Sequence, residues 1–291
     1  MAKNILGFDW NRIRAVARRD LAAYLGNPTG YVFLTLFVAA TGAAAFLQED
    51  FFTRNLADLA QLNRAFPAIL MLFVPAITMS SWADERRAGT DELLLTMPIR
   101  DVEVVLGKFL GALGIYSVAL AFSGVNVMVL RYLGDPDLGL MLSTYMGYWL
   151  MGMLFIAVGL LASMFTQNVT VGFIVGVVCC GLLVAAGLTA WTSAVVSMVA
   201  VAAIASLAWM VVRGTSSRVG SIALVGAAAS AFLWFSEVWP AYLNFWRSFG
   251  VGEHFLSFGE GILRLSDVVY FTGCTGVLLY VAVLLLGRRH W

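Results

Sequence analysis

The densest group of ionisable residues, Asp84, Glu85, Arg86, Arg87, Asp91 and Glu92, stands between two long apolar runs. On a helix, Asp84 with Arg87 and Arg87 with Asp91 fall at i,i+3 and i,i+4, the spacings at which opposite charges pair. That is the chemistry of a charged recognition helix and not of acid–base catalysis, because no nucleophile stands beside a base. Six charges are costly in hydrocarbon, so the segment belongs in water or against a soluble partner. Pro98 disfavours helical geometry at Met97 and marks an end. The expectation is a short helix over Glu85–Pro98, about three turns long, in a loop between membrane spans. A merely solvated loop would explain the charges but not Leu93, Leu94 and Leu95.

Other chemistry is excluded by what the sequence lacks. No Gly-x-x-x-x-Gly-Lys-Ser/Thr string occurs, and Gly107-Lys108 has neither the upstream glycine nor the following hydroxyl, so nothing here cradles a nucleotide phosphate. Cys179 and Cys180 are adjacent in one apolar run and Cys274 lies in another, without zinc or disulfide spacing. His254 and His290 are isolated in sequence and read as side chains near a membrane surface. No metal, cofactor or enzymatic activity is assigned. With a formal charge of +1 and no large basic cluster, nucleic acid is not expected as a partner.

These residues must be positioned by a membrane-embedded scaffold. Hydrophobic residues are 61% and charged residues 12% of the 291, half the charge of an ordinary soluble domain. The expected fold is an all-α, polytopic helical bundle with eight transmembrane helices: Tyr31 to Leu47, Phe66 to Trp82, Phe109 to Leu130, Leu140 to Met164, Val169 to Ala190, Ala194 to Val212, Val219 to Ser236 and Asp267 to Gly287. Apart from Asp267 these runs hold no Asp, Glu, Lys, Arg or His. Pro67 and Pro75 predict a bend in the second, and Gly172, Gly176 and Gly181 predict close packing of the fifth. Residues 188–218 read either as two full spans or as a re-entrant pair.

Two amphipathic segments flank the spans. In residues 8–25, Trp10, Ile13, Ala17, Leu21 and Tyr24 recur at helical steps while Arg12, Arg14, Arg18 and Arg19 take other faces, which predicts a basic helix lying on the membrane. The chain then divides into an N-terminal amphipathic segment, 1–30, and a transmembrane domain, 31–291. In residues 253–265, Phe255, Phe258, Ile262 and Leu265 share a face, predicting a second surface helix. With the N-terminus inside, all of the 18 Lys and Arg except Arg54, Arg64, Arg131, Arg247 and Arg264 are cytoplasmic. Both termini and the charged island are therefore expected in the cytoplasm.

The island also resembles the cytoplasmic loop after the second span of ABC-2 type transporter permeases. There a glutamate and basic residues precede Gly-Thr, a glutamate, a leucine run and a proline. The matching positions are Glu85, Arg86, Arg87, Gly89, Thr90, Glu92, Leu93, Leu94, Leu95 and Pro98, and Gly107-Lys108-Phe109 opens the next span in the same way. Asp91 stands where an apolar residue is common. The segment Glu253–Phe271 is similar to the one before the final span in the gliding-motility-associated branch, although six spans are usual there. The resemblance implies a cytoplasmic coupling helix, a separate ATPase subunit, a second permease copy or paralogue, membrane lipid around the spans and a bacterial inner-membrane location. The alternatives are a secondary transporter or channel, which would want ionisable groups within the spans, and a membrane anchor subunit of a complex, which for haem would want histidines there.

Overall fold

The structure, a computed structural model, describes residues 9–46, 59–89, 100–134, 136–188, 192–202, 242, 244 and 247–287. All regular elements among them are helices: α1 (Trp10–Leu25), α2 (Pro28–Phe46), α3 (Ala60–Thr78), α4 (Ser80–Arg87), α5 (Asp101–Ser123), α6 (Val125–Leu133), α7 (Leu138–Met164), α8 (Val169–Ala185), α9 (Thr192–Ala202), α10 (Val251–Gly259) and α11 (Leu265–Gly287). Four helical runs among the described residues are long and apolar enough to cross a membrane, namely Ala60–Arg87, Asp101–Leu133, Leu138–Met164 and Leu265–Gly287. A fifth arises if α1 and α2 count as one broken span, though they turn 80° from each other. The helices α8 and α9 are apolar but shorter; α8 stops at Ala185, before the Ala190 expected from sequence. The proposed span over 219–236 lies outside the described residues.

The central pillar is α7, the most buried of the long helices. Its glycines let neighbours in on several sides. A Cβ at Gly147 would meet Phe258 at 2.7 Å, one at Gly152 would fall inside the Tyr116 ring, and one at Gly159 would overlap the Thr78 hydroxyl. Small residues buy this approach where lipid gives no hydrophobic drive for helix association. Polar side chains then find backbone partners inside the bundle: Tyr116 donates to the Tyr148 carbonyl at 2.7 Å and Tyr145 to that of Ser123 at 2.8 Å.

Pro67 and Pro75 stay within α3, which passes through a turn at Met79 into α4. The expected close packing of α8 is present, since Gly172 and Gly176 are buried, with Pro75 Cβ 2.9 Å from a Cβ built at Gly176 and Met71 Sδ 3.0 Å from one at Gly181. The third expected span falls in the run Asp101–Leu133, where the single residue Gly124 separates α5 from α6.

Both amphipathic segments differ from a helix resting in lipid. The apolar side of α1 is turned into the protein: Ile13 and Val16 are buried, while Trp10 is 63% exposed. Its partner is α5, the most extensive helix pairing in the structure. There Gly107, Gly111 and Gly114 admit Val16, Asp20 and Leu21, with Val16 Cβ only 2.6 Å from a Cβ built at Gly107. At the other amphipathic segment, α10 buries Phe255 and Phe258 but leaves Ile262 and Leu265 exposed. The helix ends before them because Gly261 adopts φ +80° and the Ile262 amide turns back to the Ser257 carbonyl at 2.8 Å, a glycine-dependent helix stop. An apolar stripe reads the same whether lipid or another helix covers it.

Candidate functional site

The charged island begins inside a helix that continues the second span. In α4, Ser81, Trp82 and Glu85 face the bundle, and the helix stops after Arg87 because Gly89 takes φ +65°, with Ala88 and Gly89 amides closing on Asp84 and Arg86 carbonyls. The expected helix over Glu85–Pro98 is thus interrupted at Gly89. Thr90, Glu92, Leu94, Leu95 and Pro98 lie outside the described residues. Arg87 lines an open cleft of about 380 Å³ with Gln167, Asn168, Val169 and Thr170 of the turn into α8.

Glu85 is not a freely exposed rim charge. Its Oε1 lies 2.8 Å from Lys108 Nζ and 2.8 Å from Arg19 Nη2. Lys108, two turns into α5, has a side chain only 2% exposed. It also donates to the Ser81 carbonyl at 2.6 Å, sits 4.0 Å from Asp20 Oδ2 and stands 4.7 Å over the Trp82 ring. Arg19 closes the group by meeting Asp20 at 2.9 Å. Burial opposes the charge on Arg19, yet the carboxylates of Asp20 and Glu85 hold its pKa above the usual guanidinium value. Two cations and two anions from α1, α4 and α5 therefore neutralise one another at one point, with a carbonyl and an aromatic face completing the shell of the lysine. A buried ammonium persists only with such partners.

A second tie lies one turn nearer the start of α5. Glu103, almost fully buried, accepts from the Arg100 amide at 3.1 Å and from the Asp9 amide at 3.1 Å, and its Oε2 forms an ion pair with Arg12 Nη1 at 3.6 Å. One carboxylate thus caps α5 and holds the start of α1. Together the two groups bind both stems of the 90–99 loop to each other and to α1. Among the described residues the arrangement holds α1, α4 and α5 together beside the two ends of the segment 90–99.

Of the basic residues expected on the surface of α1, Arg14 and Arg18 are exposed and make no ion pair among the described residues, whereas Arg19 is drawn into the junction. Asp20, Glu103 and Lys108 were not singled out from sequence as a site. The available signal was a lysine directly after a glycine at the mouth of an apolar run. His254, isolated in sequence, is not isolated in space: its ring contacts Asp267 and Ser248. Among the described residues no group of three or more His, Cys, Asp or Glu is placed to hold a metal.

The model of the ABC-2 family transporter protein family covers residues 52–216, more than half of the chain; it takes in α3 to α9 and the loop that the junction braces. No curated protein matches the chain.

Proposed function

The chain belongs to the ABC-2 transporter protein family, and from that premise we propose that it is the membrane-spanning permease of an ABC transporter whose ATP is bound and hydrolysed by a separate subunit. The observation that carries the coupling part of this reading is the junction of Arg19, Asp20, Glu85 and Lys108 at the base of the 90–99 loop. A loop rooted in a braced stem passes a push from a bound ATPase to α1, α4 and α5 together, where a loop on independent stems would dissipate it. On this reading Arg86, Arg87, Gly89, Thr90, Glu92, Leu94, Leu95 and Pro98 form the docking segment, and two such permeases, identical or paralogous, enclose the path. The apolar runs support eight spans, the distribution of Lys and Arg supports both termini in the cytoplasm, and the family resemblance supports a bacterial inner membrane. The likeness of Glu253–Phe271 to the gliding-motility-associated branch is carried as a proposal about lineage only.

The test is coexpression with a candidate ATPase. The isolated chain should bind no nucleotide, and the pair should copurify and hydrolyse ATP in response to substrate. Leu94→Ser with Leu95→Ser should lower ATPase affinity by about tenfold or more, given the ~1.5 to 3 kcal/mol that burial of each leucine contributes. Retention of the ATPase by that variant at matched membrane levels would overturn the docking assignment. Glu85→Lys is a poor docking probe, because a third cation beside Arg19 and Lys108 would disturb the junction itself.

A further inference from the structure

The end of the bundle remote from the ionic junction is closed by α10. Asn63 and Glu85 lie on one continuous helical run, roughly 30 Å apart along it, and α10 packs at the Asn63 end, with Gly259 close to Asn63 and Phe258 against Gly147. Phe255 stacks on Tyr148 at 5.4 Å between ring centroids, and Tyr148 stacks in turn on Phe66 and donates its hydroxyl to Asn63. A short helix thus packs two aromatic side chains against α7 at this end.

The hold on this plug is unusual in its proton requirement. His254 Nδ1 lies 2.8 Å from Asp267 Oδ1, and Nε2 lies 2.7 Å from the Ser248 carbonyl oxygen. Both partners are acceptors, a carboxylate and a carbonyl. A neutral imidazole has one N–H and can satisfy only one of them; the other nitrogen would then point a lone pair at oxygen lone pairs. Both contacts are made only when both ring nitrogens carry hydrogen. The remaining geometry preserves the ring in place: Tyr270 stacks on it at 3.9 Å and donates to the Phe249 carbonyl, while Ser257 donates to the other Asp267 oxygen.

We propose that His254, as the imidazolium, is a proton-dependent latch that holds the α10 plug against the start of α11, so that loss of one proton loosens this end of the bundle. The latch is a property of the fold and does not depend on the identity of the ATPase. The charged and titratable groups of the surrounding segments are Asp267 and Tyr270 on α11, Arg264 before it, Glu253 on α10 with Glu260 just beyond it, Arg247 ahead of α10, Tyr145 and Tyr148 on α7, and Arg64 on α3. Of these side-chain types only imidazole ordinarily exchanges a proton near neutrality. Because the imidazolium makes the extra contact and needs the Asp267 carboxylate as its acceptor, the stabilisation requires the charged ring and the ionised carboxyl together and is lost when the ring gives up a proton.

The experiment reads the ring and the plug separately. The chain contains two histidines, so full-length protein with His290→Gln, labelled with ¹⁵N-histidine in lipid nanodiscs, reports on His254 alone. At about pH 5.5 both ring nitrogens should show imidazolium shifts. At about pH 8.5, on the other side of where an imidazole exchanges its proton, one should have moved to the unprotonated range. Hydrogen exchange of amides 251–259, corrected for intrinsic rates, should lose about tenfold protection over the same interval, the factor that one hydrogen bond to a charged group is worth. In His254→Gln, whose side-chain amide offers donors from one atom only, protection should be low at both values. A neutral ring at pH 5.5, or plug protection that does not change with pH in the wild type, overturns the proposal. So does a pH response that survives in His254→Gln.

Discussion

Two short amphipathic helices close opposite ends of this bundle, and they are held in different ways. α1 is fastened by charge: Glu85 with Arg19 and Lys108, and Glu103 with the Asp9 amide and Arg12. α10 is fastened by aromatic stacking on Tyr148 and by one histidine between two acceptors. Each lies over glycines of a long helix, Gly107, Gly111 and Gly114 of α5 beneath α1 and Gly147 of α7 beneath α10. Close approach is thus supplied by the same device at both ends, and the side chains added on top decide what can release it. The junction of α1, α4 and α5 rests chiefly on guanidinium, ammonium and carboxylate groups, side-chain types that ordinarily stay charged across the neutral range, so on the proposed reading it answers to mechanical load. The α10 contact contains the one group type that answers to protons there.

The largest effect expected from breaking this contrast is at Lys108. Lys108→Met removes an ammonium whose side chain is 2% exposed and takes from Glu85 the cation 2.8 Å from its Oε1, in a site no longer neutral. Removing one partner of a buried pair costs about 3 to 5 kcal/mol, which should appear as a large fall in the thermal unfolding midpoint of the purified chain. Adding Glu85→Gln should recover part of the loss, as a double-mutant cycle measures. Exchange protection in α10 should not change. A variant as stable as the wild type would mean that the junction is a passive coincidence of charges.

Next come the two glycine seats. Gly107→Val and Gly147→Val place a Cβ 2.6 Å from Val16 and 2.7 Å from Phe258 respectively, distances that force backbone movement. Overpacking of this kind costs about 1 to 3 kcal/mol. Hydrogen exchange should then locate the damage, in α1 for the first and in α10 for the second. Because the seats lie at opposite ends with no shared partner, the double variant should lose close to the sum of the two. A loss well short of additive would show that the ends communicate through the bundle.

What sequence could say about these two ends has a physical limit. Helical class, the four long runs and the packing role of Gly172 and Gly176 follow from period, length and residue size, and they are present. The faces of α1 and α10 were not legible, because Ile13 or Phe258 carries the same apolar signal towards lipid as towards α5 or α7. The ion pairs were hidden for another reason. Arg87 with Asp84 or Asp91 is suggested by helical spacing, but Lys108 with Glu85 joins two helices across an intervening loop, and no periodicity announces it. His254 and Asp267 are separated by a glycine stop whose φ of +80° folds the chain back on itself. Local rules end a helix at Gly261; they do not say which side chains meet after the turn.

The smallest effect on stability, and the one that sharpens the contrast most, is expected on the outward face of α1. Arg14 and Arg18 are exposed, and the apolar side of their helix is already occupied by α5. With no ion-pair partner among the described residues to lose, Arg14→Gln with Arg18→Gln should change unfolding stability by no more than ~0.5 kcal/mol, against the large loss at Lys108 only a helix away. Their charge remains available to whatever lies outside. A basic residue beside an anionic leaflet contributes about 1 kcal/mol, so two of them would hold a negatively charged headgroup more than tenfold better than their glutamine replacements. Labelling of α1 by photoreactive anionic lipid in vesicles should therefore fall by about that factor in the double variant. If labelling is unchanged, lipid is not what this face meets, and crosslinking to the ATPase becomes the measurement that decides the role of the helix.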